Sequence, residues 1–225
     1  MSVRLGTGVA VSGLRLRSFW ILSALFAGGV VFTGVFERTR DPAYAADRTL
    51  LGATFGVALP VFCYALFSVA HRGLPTRTLF EPLARHGANR RALALGWFGV
   101  LAAIAAASGA ALGVLGVFAA RGAGDARLVT DAFSCSWSGA SIGVAYVGLF
   151  AVGSLWGKTG RLVLFIADWL LGSGSGVLAF VWPRAHARNL LGGEAVLGLS
   201  QASALLLLWV LAAAGVLIFT KRIPP

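Results

Sequence analysis

The sequence predicts an all-α integral membrane protein with six transmembrane helices and both termini in the cytoplasm. Composition is the first observation: 58% of the 225 residues are hydrophobic and only 12% are charged, whereas soluble domains average about 45–50% and 25%. The second is a mean hydropathy of +0.83. The third is the grouping of apolar residues into long blocks with few charges, which is typical of helices that cross a bilayer.

Six apolar blocks are predicted as the spans, and each can cross about 30 Å of hydrocarbon at about 1.5 Å per residue. In chain order they cover residues 19–36, 50–70, 92–120, 132–156, 162–182 and 197–220. The first is interpreted as a retained helix, because it is too long for a signal-peptide core and lacks a clean cleavage site. The second contains Pro60 in its middle. Residues 1–225 are therefore interpreted as a single transmembrane domain.

Basic residues predict the orientation of these spans. With the N-terminus inside, the cytoplasmic segments hold 12 Lys and Arg and the external segments hold 7, as the positive-inside rule favours. The net charge of +11 is then explained by loops that meet anionic lipid. Nucleic acid is not expected as a partner, because the sequence has no basic face with interleaved aromatic residues.

Motifs for catalysis or cofactor binding are not found in the sequence. Gly157, Lys158 and Thr159 resemble the end of a phosphate-binding loop, but the required glycine five positions earlier is Val152. Two isolated cysteines, Cys63 and Cys135, make no metal or redox motif. We therefore expect no catalytic, metal or cofactor residue in this chain, and no enzyme activity.

The basic loop from His71 to Arg91 is predicted to contain a short amphipathic helix, opened near Pro75 and ended near Gly87. The residues of this helix are Leu79, Phe80, Glu81, Leu83, Ala84 and Arg85. Glu81 and Arg85 are four apart and can form an ion pair. Two interpretations stay open: a helix that rests on lipid, or a docking element for a soluble partner.

The fifth block contains three glycines, Gly172, Gly174 and Gly176, followed by Pro183. Glycines weaken a helix and proline stops one. We therefore expect a break near Gly174 and a short helix or re-entrant segment around His186 to Leu191. The alternative is an ordinary outer loop beside an interfacial Trp182.

Asp168 is the only acidic residue well inside an apolar block. A carboxylate within a membrane suggests function, but Asp168 lies seven residues after Arg161, about 10 Å along a helix. It could reach the inner interface or pair with an Arg, and structural pairing is favoured over a transport role.

Two further glycine pairs, Gly109 with Gly113 and Gly139 with Gly143, have the G-x-x-x-G spacing of close helix contacts. Their spacing does not identify the partner helix.

Two segments resemble the ABC type-2 permeases, the membrane subunits of ABC exporters. The stretch FEPLARHGANRRALALG, residues 80–96, is similar to their segment before the third span, and PRAHARNLLGGE, residues 183–194, is similar to their pattern before the sixth. The basic ending TKRIPP also fits. The resemblance implies that residues 11–17 begin an amphipathic elbow. It implies a coupling helix that contains Phe80, Glu81, Leu83, Ala84 and Arg85, and an outer re-entrant region with Pro183, His186 and Leu190. With the predicted break at Gly172, Gly174 and Gly176, this region would form an outer gate.

The resemblance also implies partners. These are two copies of a cytoplasmic ATPase that carries ATP and Mg, and a second copy of this permease or a homologous one. The location would be the bacterial inner membrane, within its lipids. A structural subunit of a larger membrane complex is the first alternative, because few polar residues lie within the spans. An intramembrane enzyme using Asp168 and His186 is a weaker one.

Overall fold

The computed structural model describes residues 1–14, 17–71 and 76–222, and within these ranges it contains helices and turns but no strand. The prediction of an all-helical chain is thus confirmed for the described residues. The helices are α1 (Ser2–Leu14), α2 (Arg17–Arg40), α3 (Ala45–Asp47), a π-helix (Arg48–Ala58), α4 (Leu59–His71), α5 (Thr76–Arg85), α6 (Arg90–Arg121), α7 (Leu128–Gly153), α8 (Gly157–Leu171), α9 (Pro183–Leu190) and α10 (Gln201–Arg222). Short 3-10 segments lie at Ser154–Trp156, Val177–Val181 and Val196–Gly198.

Five helical stretches of the described chain are long and apolar enough to cross a membrane, as a multi-pass membrane protein requires. They are Phe19–Arg40, Ala45–His71, Arg90–Arg121, Leu128–Leu171 and Gln201–Arg222. The sequence predicted six blocks, and the fourth and fifth fall in the one stretch Leu128–Leu171.

The stretch Leu128–Leu171 is folded back on itself as a hairpin. Its 44 residues would extend about 66 Å if straight, roughly twice the hydrocarbon thickness. A 3-10 turn at Ser154–Trp156 and Gly157, with φ of +70°, reverse the chain. As a result the Tyr146 hydroxyl of α7 lies 2.7 Å from the Asp168 carboxylate of α8.

The predicted fifth span, residues 162–182, is shorter as a helix than the sequence suggested. Helix α8 ends at Leu171 after 15 residues, about 22 Å. The chain then turns through residues 172–176 and enters the 3-10 segment Val177–Val181. The closely spaced glycines explain this early end, because each raises the conformational entropy lost on helix formation.

Two ends of the helical bundle can be distinguished by the elements that meet there. The α9 end contains the loops at 41–44 and 122–127 and the segment 172–200. The α5 end contains α1, α5 and the α7–α8 turn. At the α5 end, α1 packs on α6 so closely that an added Cβ at Gly6 would overlap the Leu93 backbone, and one at Gly96 would overlap Val3.

The N-terminal helix α1 begins earlier in the chain than the elbow predicted at residues 11–17. It begins at Ser2 and has 13 residues. Arg15 and Leu16, within that elbow, lie outside the described residues, as do Pro75 and residues 223–225 of the basic ending. The sequence pattern missed the first part of α1, because glycines at positions 6 and 8 argue against a helix unless another helix requires close approach.

Helices α6 and α7 form the centre of the bundle, and their glycines face one another. An added Cβ at Gly109 would overlap the Gly139 carbonyl, and one at Gly139 would overlap the Gly109 carbonyl. Gly143 lies in the same way against the Ala105 carbonyl. The G-x-x-x-G pairs of the sequence are therefore partners of each other, with backbones in direct contact.

Candidate functional site

A buried polar site surrounds Asp168, which is 1% exposed. Its Oδ2 accepts a hydrogen bond from the Tyr146 hydroxyl at 2.7 Å, and its Oδ1 accepts one from the Arg184 backbone N–H at 3.1 Å. Three helices, α7, α8 and α9, therefore meet at one carboxyl group. A buried carboxyl with both oxygens engaged avoids most of the penalty of an unpaired polar group in an apolar interior.

The hydrogen bond from Arg184 has a simple origin in helix chemistry. Pro183 is the first residue of α9 and has no N–H, so the N–H of Arg184 is the first that lacks a partner within the helix. The carboxylate of Asp168 accepts from it at the positive end of the helix dipole. Asp168 therefore contacts Arg184 through the backbone N–H of that residue, at the α9 end of the bundle, and forms no ion pair with an Arg side chain of the described chain.

The Arg184 side chain points to a different neighbour, the π-helix. Its Nη1 donates to the Gly56 carbonyl at 2.6 Å, and its guanidinium lies 5.8 Å from the centre of the Trp169 ring. Gly56 is four residues before Pro60, and a proline removes the N–H that would serve that carbonyl in an α-helix. Pro60 thus leaves an acceptor for Arg184. The π-helix itself is rare, and such segments occur frequently at functional sites.

The predicted gate residues differ in their surroundings, and of the three glycines among them Gly172 lies against the start of α9. An added Cβ at Gly172 would lie 2.9 Å from the Arg184 Cβ and 3.2 Å from the Trp182 Cβ, so only glycine lets the chain cross here. Gly174 and Gly176 are not crowded. An added Cβ at Gly174 would lie 3.7 Å from the Leu171 carbonyl oxygen, and one at Gly176 would have no atom within 4 Å.

His186 is fully buried, and its ring contacts Phe180. One ring nitrogen, Nε2, lies 2.7 Å from the Phe180 carbonyl, and the two rings meet edge to face at 5.8 Å. Burial lowers the pKa of His186, which favours the neutral ring. His186 thus fixes α9 to the preceding 3-10 segment, and the structure does not bring it together with the intramembrane acid.

A cavity of about 360 Å³ opens between the π-helix and α9. Its lining comes from the π-helix, from the turn after α8, and from α9 and the residues that follow it. The lining residues, which include two arginines, are Leu51, Gly52, Phe55, Gly56, Ser173, Arg184, Ala187, Arg188, Leu191 and Gly193. Arg184, Arg188 and Tyr146 were not predicted from the sequence as site residues. Pro60 and the spacing of the two arginines were the available signals.

The predicted amphipathic helix is present as α5, at the opposite end of the bundle. Phe80 is 1% exposed and meets the Trp97 ring edge to face at 6.2 Å. Glu81 and Arg85 form the predicted ion pair at 2.7 Å, with Arg85 exposed. Leu79, Leu83 and Ala84 are half-buried. Phe80 therefore anchors α5 to α6, and the polar side of the helix remains accessible.

Behind the α5 anchor lies a buried basic cluster, defined by His71, Trp97, Ser154 and Arg161. The His71 and Trp97 rings meet edge to face at 4.7 Å, and the Arg161 Nη1 lies 3.4 Å from His71 Nε2 and 3.4 Å from Ser154 Oγ. Arg161 is 4% exposed. This cluster connects α4 and α6 with the α7–α8 turn, and Phe80 packs on its Trp97.

No group of His, Cys, Asp and Glu that could hold a metal ion occurs among the residues that the structure describes. No family model matches the chain, and no curated protein or solved structure is significantly similar to it.

Proposed function

We propose that this chain is the membrane-spanning permease subunit of an ATP-driven ABC-type exporter, and that a separate ATPase docks on α5. The observation that carries the proposal is the position of α5. Its apolar side is anchored on Trp97 through Phe80, while the Glu81–Arg85 pair faces outward at the end of the bundle. A short helix held in this way can transmit a movement of a bound partner, whereas a helix that only floats on lipid needs no such anchor.

The route from α5 into the bundle supports the same proposal. Phe80 touches Trp97, Trp97 touches His71, and Arg161 lies beside His71 at the start of α8. Helix α8 then leads to Asp168, which holds the N-terminus of α9. A displacement of α5 would therefore reach the α9 end through contacts between side chains and one rigid hairpin, as a hinge or shear movement requires.

In the proposed topology the chain crosses the membrane six times, with both termini in the cytoplasm. Helix α8, about 22 Å long, would complete its crossing with the turn at 172–176 and the 3-10 segment Val177–Val181. Helix α9 would form a re-entrant gate on the outer side. Irregular backbone at membrane depth is tolerated where protein covers it, and Pro183, His186 and Asn189 are buried.

Two permease copies, or this chain with a homologous one, would enclose the transport path, and ATP with Mg would bind only to the two ATPase subunits. The proposed location is a bacterial inner membrane. ATP binding would bring the ATPases together, draw the two α5 helices with them and open the α9 ends outward.

The test replaces the partly exposed Glu81 and the half-buried Leu83 of α5 in the purified complex with the ATPase. Glu81→Arg combined with Leu83→Asp should abolish co-purification and the stimulation of ATP hydrolysis by this chain. The matched control exchanges the pair, Glu81→Arg with Arg85→Glu, which restores the ion pair within α5. An intact complex with unchanged ATPase stimulation in the Glu81→Arg, Leu83→Asp variant would contradict the coupling role.

A structural subunit without a transport path is the second candidate. It is favoured by the cavity of about 410 Å³ between α2 and the π-helix, whose lining is apolar except for Thr33. A bundle with such walls suits lipid-like molecules or packing against another membrane subunit. Stable co-purification with membrane subunits but without any ATPase would favour this candidate.

A further inference from the structure

We propose that the cavity between the π-helix and α9 binds the anionic headgroup of a membrane lipid, and that Arg184 and Arg188 recognise its phosphate. The two arginines are four residues apart on α9, so they lie on one face of the helix. Both line the same cavity of about 360 Å³. Planar guanidinium groups with several N–H donors are well suited to phosphate oxygens.

The charges of the site are the first argument. Arg184 donates to the Gly56 carbonyl at 2.6 Å, and Arg188 donates to the Ser173 carbonyl. Neither guanidinium forms an ion pair with a carboxylate of the described chain. Carbonyl groups position a guanidinium without neutralising it, so two positive charges border one cavity. A bound anion would neutralise both.

The nearby acidic groups form their hydrogen bonds with groups other than the two guanidiniums. Asp168 accepts from Tyr146 and from the Arg184 backbone N–H. Glu194 accepts from the Ser175 hydroxyl at 2.7 Å. The buried Nε of Arg184, in addition, has no hydrogen-bond partner within the described chain. A buried donor without an acceptor is unfavourable, and a phosphate oxygen would supply one.

The size and walls of the cavity select a lipid headgroup over a small free anion. Ligand pockets have volumes of about 300–1,000 Å³, so this cavity lies at the lower end, large enough for a phosphate with a glycerol-sized group. Leu51, Phe55 and Leu191 provide apolar contacts beside the arginines. A cavity with both kinds of wall, near the start of an apolar helical stretch, fits the boundary between headgroup and acyl chain.

The binding experiment needs no ATPase, so its outcome is independent of the proposed transport function. The purified chain in neutral detergent is heated with increasing phosphatidylglycerol, with phosphatidylcholine, or with inorganic phosphate. A ligand of the folded state raises the melting temperature. We expect a saturable rise with phosphatidylglycerol and none with the other two. An equal rise with phosphatidylcholine would overturn the assignment to an anion, and an equal rise with inorganic phosphate would overturn the assignment to a lipid.

Two variants and one control locate the site. Arg188→Gln removes a charge, and Gly52→Leu fills the cavity, since an added Cβ at Gly52 has no neighbour within 4 Å. Each should raise the phosphatidylglycerol concentration for half of the shift about tenfold or more, as expected for loss of a charge-assisted contact or of space. Arg127→Gln, an exposed arginine away from the cavity, should leave that concentration unchanged.

The result that would overturn the proposal is equal lipid dependence in the wild type, Arg188→Gln and Gly52→Leu, or an equal loss in Arg127→Gln. If Arg188→Gln does not fold, the Gly52→Leu variant still tests whether lipid binds in this cavity, because it removes no hydrogen bond and leaves both arginines in place.

Discussion

Replacing Gly139 with alanine should destabilise the centre of the bundle, because α6 and α7 touch there through their backbones. A Cβ at Gly139 would overlap the Gly109 carbonyl and lie 2.9 Å from the Phe55 ring. Ordinary van der Waals contact begins near 3.4 Å. The carbonyl cannot rotate out of the way, so the helices must separate along their whole interface.

The size of the effect follows from two opposing terms. Overpacking costs about 1–3 kcal/mol, and we expect the upper end because the obstacle is backbone. Alanine in a helix recovers about 0.5–1 kcal/mol relative to glycine. The net loss is therefore about 2 kcal/mol, a factor of about 30 in the equilibrium between folded and unfolded chain.

The assay is reversible unfolding in mixed micelles of mild and denaturing detergent, followed by circular dichroism. Gly99→Ala is the matched control, because Gly99 lies in α6 with nothing within 4 Å of an added Cβ. Gly99→Ala should be neutral or slightly stabilising. If Gly139→Ala unfolds at the same detergent fraction as Gly99→Ala, the claim that the backbones of α6 and α7 touch at Gly139 is contradicted.

Three further predictions concern the sites at the two ends. Tyr146→Phe removes a hydrogen bond to the buried Asp168 carboxyl and should lower the free energy of unfolding by about 1–3 kcal/mol, measured in the same assay. Phe80→Ala removes the anchor of α5 and should expose that helix to trypsin in limited proteolysis, while the transmembrane core stays resistant. The Arg127 backbone N–H, and then the Arg121 side chain, hold the pKa of Asp125 below its usual value. Asp125→Asn should therefore reduce the melting temperature at neutral pH, and the difference from wild type should vanish as the pH falls through the lowered pKa.

The long helices and the short α5 could be predicted from the sequence, because apolar blocks and helical spacing are local properties. The ion pair between Glu81 and Arg85 was predictable for the same reason: its partners are four residues apart on one helix. The inward direction of Phe80 was not, since it depends on Trp97 in the next helix. A pattern along the chain gives the apolar side of a helix but not its neighbour.

The hydrogen-bond partners of Asp168 could not be predicted from local sequence patterns. The sequence identified Asp168 as an unusual buried acid, but its partners come from positions 22 residues before it and 16 residues after it. They meet only because α7 and α8 form a hairpin and because Pro183 begins α9. The π-helix was likewise missed, since no sequence pattern distinguishes its hydrogen bonds from those of an α-helix.

The most direct test of the proposed transport function is purification of the tagged chain from its own host in a mild detergent, with ATP hydrolysis measured on the isolated complex. The proposal predicts a stoichiometric ATPase subunit in the complex and hydrolysis that depends on Mg. It also predicts loss of that subunit when Glu81→Arg and Leu83→Asp are introduced in α5. A stable membrane complex without an ATPase, unchanged by these substitutions, would contradict the proposed transport function.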